Sequence, residues 1–282
     1  MSRLPYFPVL AFAALVSCMP VSEGPIREAV TFYASFDEGT NADFGGRPEP
    51  RIDSGAAHLE PGVQGQALWI EEPGRGAALA YAAHGNLPDP RGAWSGTLSF
   101  WIRVAAEAAP GRVQTLVQIA TECASPGGLS VEYVGGAPPE LRLAAVSAGS
   151  GAGWPQPAVT ARLRNPARGD WRHVAVAWAN FDSGRSDAWA ALYLDGDMAG
   201  TVTNAAFRSG WEGGEGLLCV GLNYQGAIDE LAVLSRPLSQ KEIRRLAAEP
   251  SLLAALKARA GGGAAQEAVK KGLIRYPDSA RR

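Results

Sequence analysis

Histidine, cysteine and charge are all scarce in this chain of 282 residues. It has 3 His and 3 Cys, only 19% of its residues are charged, and its formal net charge is -2. His58, His84 and His173 are scattered, and neither a His-x-His nor a paired-cysteine spacing occurs, so no zinc site is indicated. The near-neutral balance predicts no nucleic-acid partner, because surfaces that bind nucleic acids carry an excess of positive charge.

Motifs of common hydrolases and nucleotide-binding enzymes are missing as well. The sequence has no Gly-x-Ser-x-Gly elbow and no Gly-x-x-x-x-Gly-Lys loop. Retaining glycosidases need two carboxyl groups about 5 Å apart on one face of the active site. Side chains at i and i+4 of a strand share a face, yet no Glu-x-Asp-x-x-Glu-like pattern occurs. Asp229 and Glu230 are adjacent, and strict alternation along a strand places them on opposite faces. The sequence therefore predicts a protein that is not an enzyme.

What the chain does contain is apolar mass and many turn residues. It is 46% hydrophobic and has 8 Trp, 34 Gly and 20 Pro. Short segments with period-two alternation, clearest at residues 97–104, recur between residues 29 and 234 without a long helix. Ser239 and Glu242 form a capping-box pattern that predicts a helix from Gln240. The expected fold is all-β: a two-sheet antiparallel jellyroll sandwich with short C-terminal helices.

The segment Trp-Arg-His-Val-Ala-Val-Ala-Trp at residues 171–178, followed by Leu-Tyr-Leu-Asp-Gly at 192–196, resembles the central signature of LamG-like jellyroll domains. These domains are members of the concanavalin A-like lectin/glucanase superfamily. Further matches occur in the expected order, at residues 32–39, 65–68, 97–103, 226–231 and 237–243. The resemblance covers roughly residues 29–246 and implies the jellyroll fold. It does not specify a function, because this fold carries lectins, adhesion modules, glycosidases and spacers.

The resemblance also implies a metal site. Similar domains often hold one calcium ion where the first and last strands meet, and the matching positions are Asp37 and Asp229. The alternative is that Asp37 only ends a strand and that Asp229 makes turn or cross-strand hydrogen bonds. Calcium is the only cofactor that the sequence suggests.

The chain divides into four parts. Residues 1–18 read as a signal peptide, in which Leu-Val-Ser-Cys at 15–18 resembles a lipobox that would acylate Cys18; the alternative is an ordinary signal peptide with Cys18 discarded. Residues 19–28 read as a tether, residues 29–246 as the LamG-like domain and residues 247–282 as a basic, partly helical tail. The expected location is outside the cytoplasm, in the cell envelope, either lipid-anchored to the membrane or secreted.

Two cysteines, Cys123 and Cys219, remain in the exported domain. The compartment permits oxidation, so they either form a disulfide bond or stay as two separately buried thiols.

Sugar binding calls for exposed aromatic faces beside polar loop residues. Trp154, Trp211 and Tyr224 lie in or near predicted loops, with Asn180 and Asp182 in the polar loop after a central strand. These five residues are the predicted ligand-binding set; the alternative for each aromatic is core or loop packing. The predicted function is an exported non-catalytic module that binds a glycan or a cell-surface protein, as in carbohydrate binding or surface adhesion. The alternatives are a structural spacer of a cell-surface assembly and a divergent glycoside hydrolase.

Overall fold

A computed structural model describes residues 25–71, 76–90, 92–105, 110–124, 128–147, 156–163, 169–209 and 216–259. Cys18, Trp154, Trp211 and residues 260–282 lie outside these ranges. Within them the chain forms the following strands and helices: β1 (Val30–Ala34), β2 (Ile52–Asp53), β3 (Ala57–Pro61), β4 (Gln66–Ile70), β5 (Leu79–Ala82), β6 (Trp94–Val104), β7 (Val113–Ala120), β8 (Leu129–Val134), β9 (Glu140–Ser147), β10 (Gln156–Arg162), β11 (Arg172–Phe181), β12 (Ala188–Leu194), β13 (Asp197–Ala205), β14 (Phe207–Arg208), β15 (Leu217–Leu222), β16 (Gly226–Leu234), α1 (Ile26–Ala29), α2 (Gln240–Ala248) and a 3₁₀ helix (Pro250–Arg259).

The strands make two antiparallel sheets. Sheet 1 has the order β13-β12-β11-β6-β16-β4-β3, and β1 also pairs with β16. Sheet 2 has the order β10-β9-β8-β7-β15-β5-β2, and β14 also pairs with β9. The predicted all-β, two-sheet architecture with short C-terminal helices is confirmed. No helix among the described residues is long and apolar enough to cross a membrane.

Alternation along the central strands fills the space between the sheets. Leu98, Phe100 and Ile102 of β6 point into this main core, and so do Val174, Val176 and Trp178 of β11. Trp178 is fully buried, and its ring centroid lies 4.8 Å from that of Trp94. The main core therefore sits where the two apolar faces meet.

Part of the outer face of sheet 1 is also buried, and the elements that cover it come from both ends of the described chain. We call this second apolar layer the helix-covered cluster. Its buried members are Ile26, Ala29, Val30, Tyr33, Phe44, Ala175, Ala177, Ala191, Tyr193, Ala232, Leu234, Leu238, Ile243, Leu246, Leu252, Leu253 and Leu256. They explain why β11 is apolar on both faces: one face meets sheet 2 and the other meets the helices.

The C-terminal helices follow local signals in the sequence. Ser239 and Glu242 make the reciprocal capping box that opens α2, as predicted. After α2 the 3₁₀ helix buries Leu252, Leu253 and Leu256, so the predicted domain end after residue 246 is too early. The last residues of the predicted tether, 26–28, belong to α1, and the side chain of Ile26 is buried.

The structure joins Cys123 and Cys219 in a disulfide bond, the first of the two alternatives left open by the sequence. Cys219 lies in β15 and is fully buried, packed with Ala80 and Leu222 on the outer side of sheet 2. The bond ties the loop after β7 to β15, across a sequence separation of 96.

Candidate ligand-binding site

Helices cover only part of the outer face of sheet 1, and the remaining part carries tryptophan side chains. In β6, Trp101 and Arg103 alternate with the core residues and so point outward. In β4, Trp69 points outward by the same rule, and it pairs with Ala227 of β16, which in turn pairs with Arg103. Trp171 comes directly before β11, and the alternation of that strand places its side chain on the outer face as well. Trp69, Trp101, Trp171 and Arg103, with His58 and Glu60 of β3, form what we call the tryptophan patch.

Contacts within the patch hold its side chains in place. The guanidinium of Arg103 lies over the ring of Trp171, 4.9 Å from its centroid, and also forms an ion pair with the carboxylate of Glu60. The ring of His58 lies beside that of Trp69, with centroids 6.5 Å apart. All three tryptophans are partly exposed. The patch is thus a preformed layer of aromatic rings with one cation and one anion inside it.

Such a surface suits a ligand that has both apolar and polar faces. Indole rings bury large apolar area and stay rigid, and Trp and Arg are the residues that most often dominate binding energy at interfaces. The Arg103 guanidinium carries donors in a fixed fork, which match hydroxyl and carboxylate oxygens. A sugar ring, apolar on its C–H faces and polar at its rim, has this chemistry.

The sequence-predicted residues lie elsewhere: Asn180 is near the end of β11, and Asp182 is in the turn that follows this strand. Both have positive φ, of 63° and 61°, and both side chains bond within the fold. The amide of Asn180 donates to the carbonyl of Asp187 at 3.3 Å, and the carboxylate of Asp182 accepts from the amide of Ser209 at 2.9 Å. Their observed role is to shape this turn.

Tyr224 corrects the prediction of an exposed aromatic, because it is fully buried in the main core. Its hydroxyl lies 3.2 Å from the carbonyl oxygens of Arg103 and Ala227, and burial raises the pKa of the phenol well above its ordinary value. Tyr224 lies near the end of β6, whereas Asn180 bonds to Ser95 near its start. The structure therefore does not bring these predicted residues together, and Trp154 and Trp211 lie outside the described residues.

Asp37 and Asp229, the two predicted calcium ligands, both bind the segment that joins β3 to the start of β4, and their oxygens already accept from protein donors. Asp37 accepts from the amide of Gln66 at 2.6 Å and forms an ion pair with Lys257. Asp229 accepts from the amides of Val63, Gln64 and Glu230, at 2.8, 3.3 and 2.8 Å. Calcium needs 6 to 8 converging oxygens, and no group of three or more acidic, His or Cys side chains in the described parts of the chain is arranged to hold a metal. The donor set does not fit calcium in this arrangement.

Glu230 departs from the alternation that its neighbours follow. Its φ is +52°, and the β16 register shifts between Asp229 and Ala232, which marks a bulge. The expectation that Asp229 and Glu230 face opposite ways is therefore wrong: Glu230 accepts a hydrogen bond from Tyr33 of the helix-covered cluster at 2.7 Å, on the same outer side as Asp229. Burial raises the pKa of Asp229 to about 7 and that of Glu230 to about 8. Both are nearly inaccessible, so neither carboxyl group is offered to a substrate.

His173 lies beneath the patch and makes folding stability sensitive to acid. Its Nε2 lies 2.9 Å from the hydroxyl of Ser99, its ring meets Trp101 edge to face, and burial lowers its pKa to about 4, against a smaller opposing effect of Asp195. Because the folded-state pKa lies below the ordinary histidine value of 6.5, the unfolded chain gains the proton first as pH falls. We expect this residue to cost about 3 kcal/mol of unfolding free energy between pH 6.5 and pH 4.

Urea denaturation of the wild type and of His173→Gln at both pH values tests this expectation. The variant should lose about 3 kcal/mol less on acidification. His58→Gln, which removes an exposed imidazole, is the matched control and should follow the wild type. Equal losses in the wild type and in His173→Gln would show that His173 does not govern this part of the acid response.

Comparison with known proteins agrees with the architecture. A laminin G-type family model, described as the concanavalin A-like lectin/glucanase superfamily, matches residues 76–244. No curated protein matches the chain closely enough to be called a relative. Among solved structures, the chain is similar to domain 4 of AbnA, a GH43 extracellular arabinanase from Geobacillus stearothermophilus, in complex with arabinotriose. That match has 18% identity and a TM-score of 0.49, and covers 77% of this chain and 98% of the other.

Two botulinum neurotoxin structures are also similar. The binding domain of neurotoxin DC, in complex with rat synaptotagmin II, has 13% identity and a TM-score of 0.54, and the match covers 80% of this chain and 52% of the other. The serotype D ligand binding domain, in complex with N-acetylneuraminic acid, has 10% identity, the same TM-score and the same two coverages. The chain thus spans about half the length of these domains, and at such low identity the likeness concerns the fold alone. Because the family model matches more than half of the chain, this protein belongs to the concanavalin A-like lectin/glucanase superfamily.

Proposed function

We propose that this protein is an exported, non-catalytic module that binds a glycan through the tryptophan patch. The main support for the proposal is that the helices cover only part of the outer face of sheet 1. Where the helices pack, its apolar side chains are buried, yet Trp69, Trp101 and Trp171 are left partly exposed around Arg103. Exposed apolar clusters rimmed by polar groups are typical of interaction sites.

The size of the patch favours a glycan over a protein. Trp69 lies on β4, and Trp171 adjoins β11, which is three strands away in sheet 1. At about 4.8 Å per strand the two are roughly 14 Å apart across the sheet, the length of a short oligosaccharide. A stable protein interface usually involves about 20 to 30 residues on each partner, whereas the patch consists of six.

Two further observations support the other parts of the proposal. The buried positions of Asp229 and Glu230 support a non-catalytic role, since a glycosidase must present its carboxyl groups to the substrate. The disulfide of Cys123 and Cys219 supports export, because disulfides persist in oxidising compartments. The neurotoxin domains were solved with a sugar acid in one case and a protein in the other. They illustrate that proteins of this fold bind both kinds of ligand.

A glycan array probed with the full chain tests the proposal. We expect binding to a defined group of glycans, reduced about tenfold or more by Trp171→Ala, because a central interface tryptophan commonly carries 2 kcal/mol or more. Trp189→Ala is the matched control: Trp189 is also partly exposed in sheet 1, but it packs against the helix-covered cluster.

The control variant should keep the wild-type pattern. Binding that is lost equally in both variants would point to a folding defect and not to the patch. If the wild-type chain binds no glycan at all, the proposal fails, and a spacer without a small ligand becomes the better description.

A further inference from the structure

An acidic cluster lies where the tryptophan patch meets the helix-covered cluster. Asp37 follows β1, and Asp229 and Glu230 lie at the bulge of β16. Glu230 is only 5% exposed, and although its Oε2 accepts from Tyr33, its Oε1 has no hydrogen-bond partner. Ionisation of a buried carboxyl group in this position is costly: burial raises its pKa, so that it binds a proton more readily, whereas a nearby cation lowers the pKa and favours the charged form.

The cation present is the ammonium group of Lys257. It forms an ion pair with Oδ2 of Asp37, and its charge also acts on Glu230 and Asp43. Lys257 belongs to the 3₁₀ helix, and its side chain is 27% exposed. The ammonium therefore enters the cluster from the C-terminal segment that covers sheet 1.

The backbone around Lys257 is held firmly. Leu253 and Leu256 are 3% and 2% exposed in the helix-covered cluster, and the carbonyl of Leu252 accepts from Arg27 Nε at 2.8 Å. These contacts fix the position from which the lysine reaches the carboxylates. Because the lysine belongs to the same chain, its effective concentration at the carboxylates is high, and a free ion can compete with it only at a comparable concentration.

The residue type fits the role. The whole chain has only four lysines, all after residue 240, so its other basic side chains are arginines. A lysine ammonium is a compact point charge, whereas guanidinium is a broad planar fork, so the ammonium is the closer substitute for a metal ion.

We infer that Lys257 is the resident cation of the cluster formed by Asp37, Asp229 and Glu230, and that it takes the place of a calcium ion there. The folded domain is then independent of calcium. Removal of the ammonium leaves Asp37 without its ion-pair partner, and a divalent cation can then compete for the freed Oδ2 of Asp37 and the unpaired Oε1 of Glu230.

Thermal unfolding of the full chain, with and without about 5 mM calcium, tests this inference at a concentration that saturates typical extracellular calcium modules. The wild-type melting temperature should not change with calcium. Lys257→Met keeps the apolar stem of the side chain and should lower the melting temperature by about 5 to 10 °C in the presence of chelator. Calcium should restore part of that loss. Lys241→Met, which removes an exposed lysine of α2, is the matched control and should behave as the wild type.

Three outcomes would overturn the inference. One is a wild-type chain that calcium stabilises, since the site would then accept a metal in spite of Lys257. Another is a Lys257→Met variant as stable as the wild type. The last is a destabilised variant that calcium does not rescue, which would reduce Lys257 to an ordinary packing residue. None of these outcomes bears on glycan binding, so the two proposals can fail separately.

Discussion

Leu253→Ala combined with Leu256→Ala is expected to lower the free energy of unfolding by about 5 kcal/mol or more, because each buried Leu→Ala change costs about 2 to 5 kcal/mol. Both side chains are almost fully buried against the outer face of sheet 1, where Tyr33, Ala177 and Leu234 lie in the same cluster. The loss would show that residues after 246 belong to the folded domain and are not a loose tail. Urea denaturation followed by circular dichroism measures it.

Met198→Ala is the control for that experiment. Met198 is 48% exposed, so its truncation should change the free energy of unfolding by less than about 0.5 kcal/mol. If the double leucine variant is as stable as Met198→Ala, the C-terminal 3₁₀ helix does not stabilise the domain. In that case the 3₁₀ helix would not be part of the helix-covered cluster.

Replacement of Cys123 and Cys219 by serine should cost about 4 kcal/mol. The bond closes a loop with a sequence separation of 96. A cross-link over about 100 residues lowers the entropy of the unfolded chain, and this stabilises the folded state by roughly 4 to 5 kcal/mol. Cys219 is also fully buried, so a serine hydroxyl there adds a further penalty unless it finds an acceptor. The free energy of unfolding of the double variant, compared with that of the oxidised wild type, checks the figure.

Reductant supplies the control for the disulfide. It should destabilise the wild type by a similar amount and leave the Cys123→Ser/Cys219→Ser variant unchanged. A wild type that keeps its full stability after complete reduction would contradict the expectation, and would mean that native contacts alone hold the loop after β7 against β15.

The general architecture could be predicted because period-two alternation is a local property of each strand. β6 shows this directly: the alternation is clearest at residues 97–104, and there it places Leu98, Phe100 and Ile102 in the main core. The capping box at Ser239 and Glu242 is equally local, and it gave the start of α2 correctly. Each of these features depends on residues a few positions apart.

The candidate site could not be predicted in the same way, because its parts come from distant segments. Trp69, Trp101 and Trp171 become neighbours only through the strand order of sheet 1, which no short motif encodes. Outward alternation at Trp101 is a local signal for the patch, whereas the prediction of exposed aromatics in loops rests on a weaker one. Tyr224 shows this weakness, since it follows a strand yet lies in the main core.

The acidic cluster was missed for two physical reasons. A bulge at Glu230 adds one residue to the outer side of β16, and simple alternation takes no account of bulges. Lys257, in turn, lies 220 positions from Asp37, so their ion pair depends on how the C-terminal segment packs. Asp37 and Asp229 both accept hydrogen bonds from the backbone of residues 63–66, and Asp37 also pairs with the ammonium of Lys257.

The most direct test of the central claim, that the tryptophan patch binds the ligand, is ¹⁹F NMR of the full chain labelled with 5-fluorotryptophan. The chain has 8 Trp, and single Trp→Phe variants assign each signal. Addition of a glycan selected on the array should shift the signals of Trp69, Trp101 and Trp171, and leave those of Trp178 and Trp189 in place. If the glycan binds while the three patch signals stay unchanged and other tryptophan signals move, the ligand binds elsewhere and the central claim is wrong.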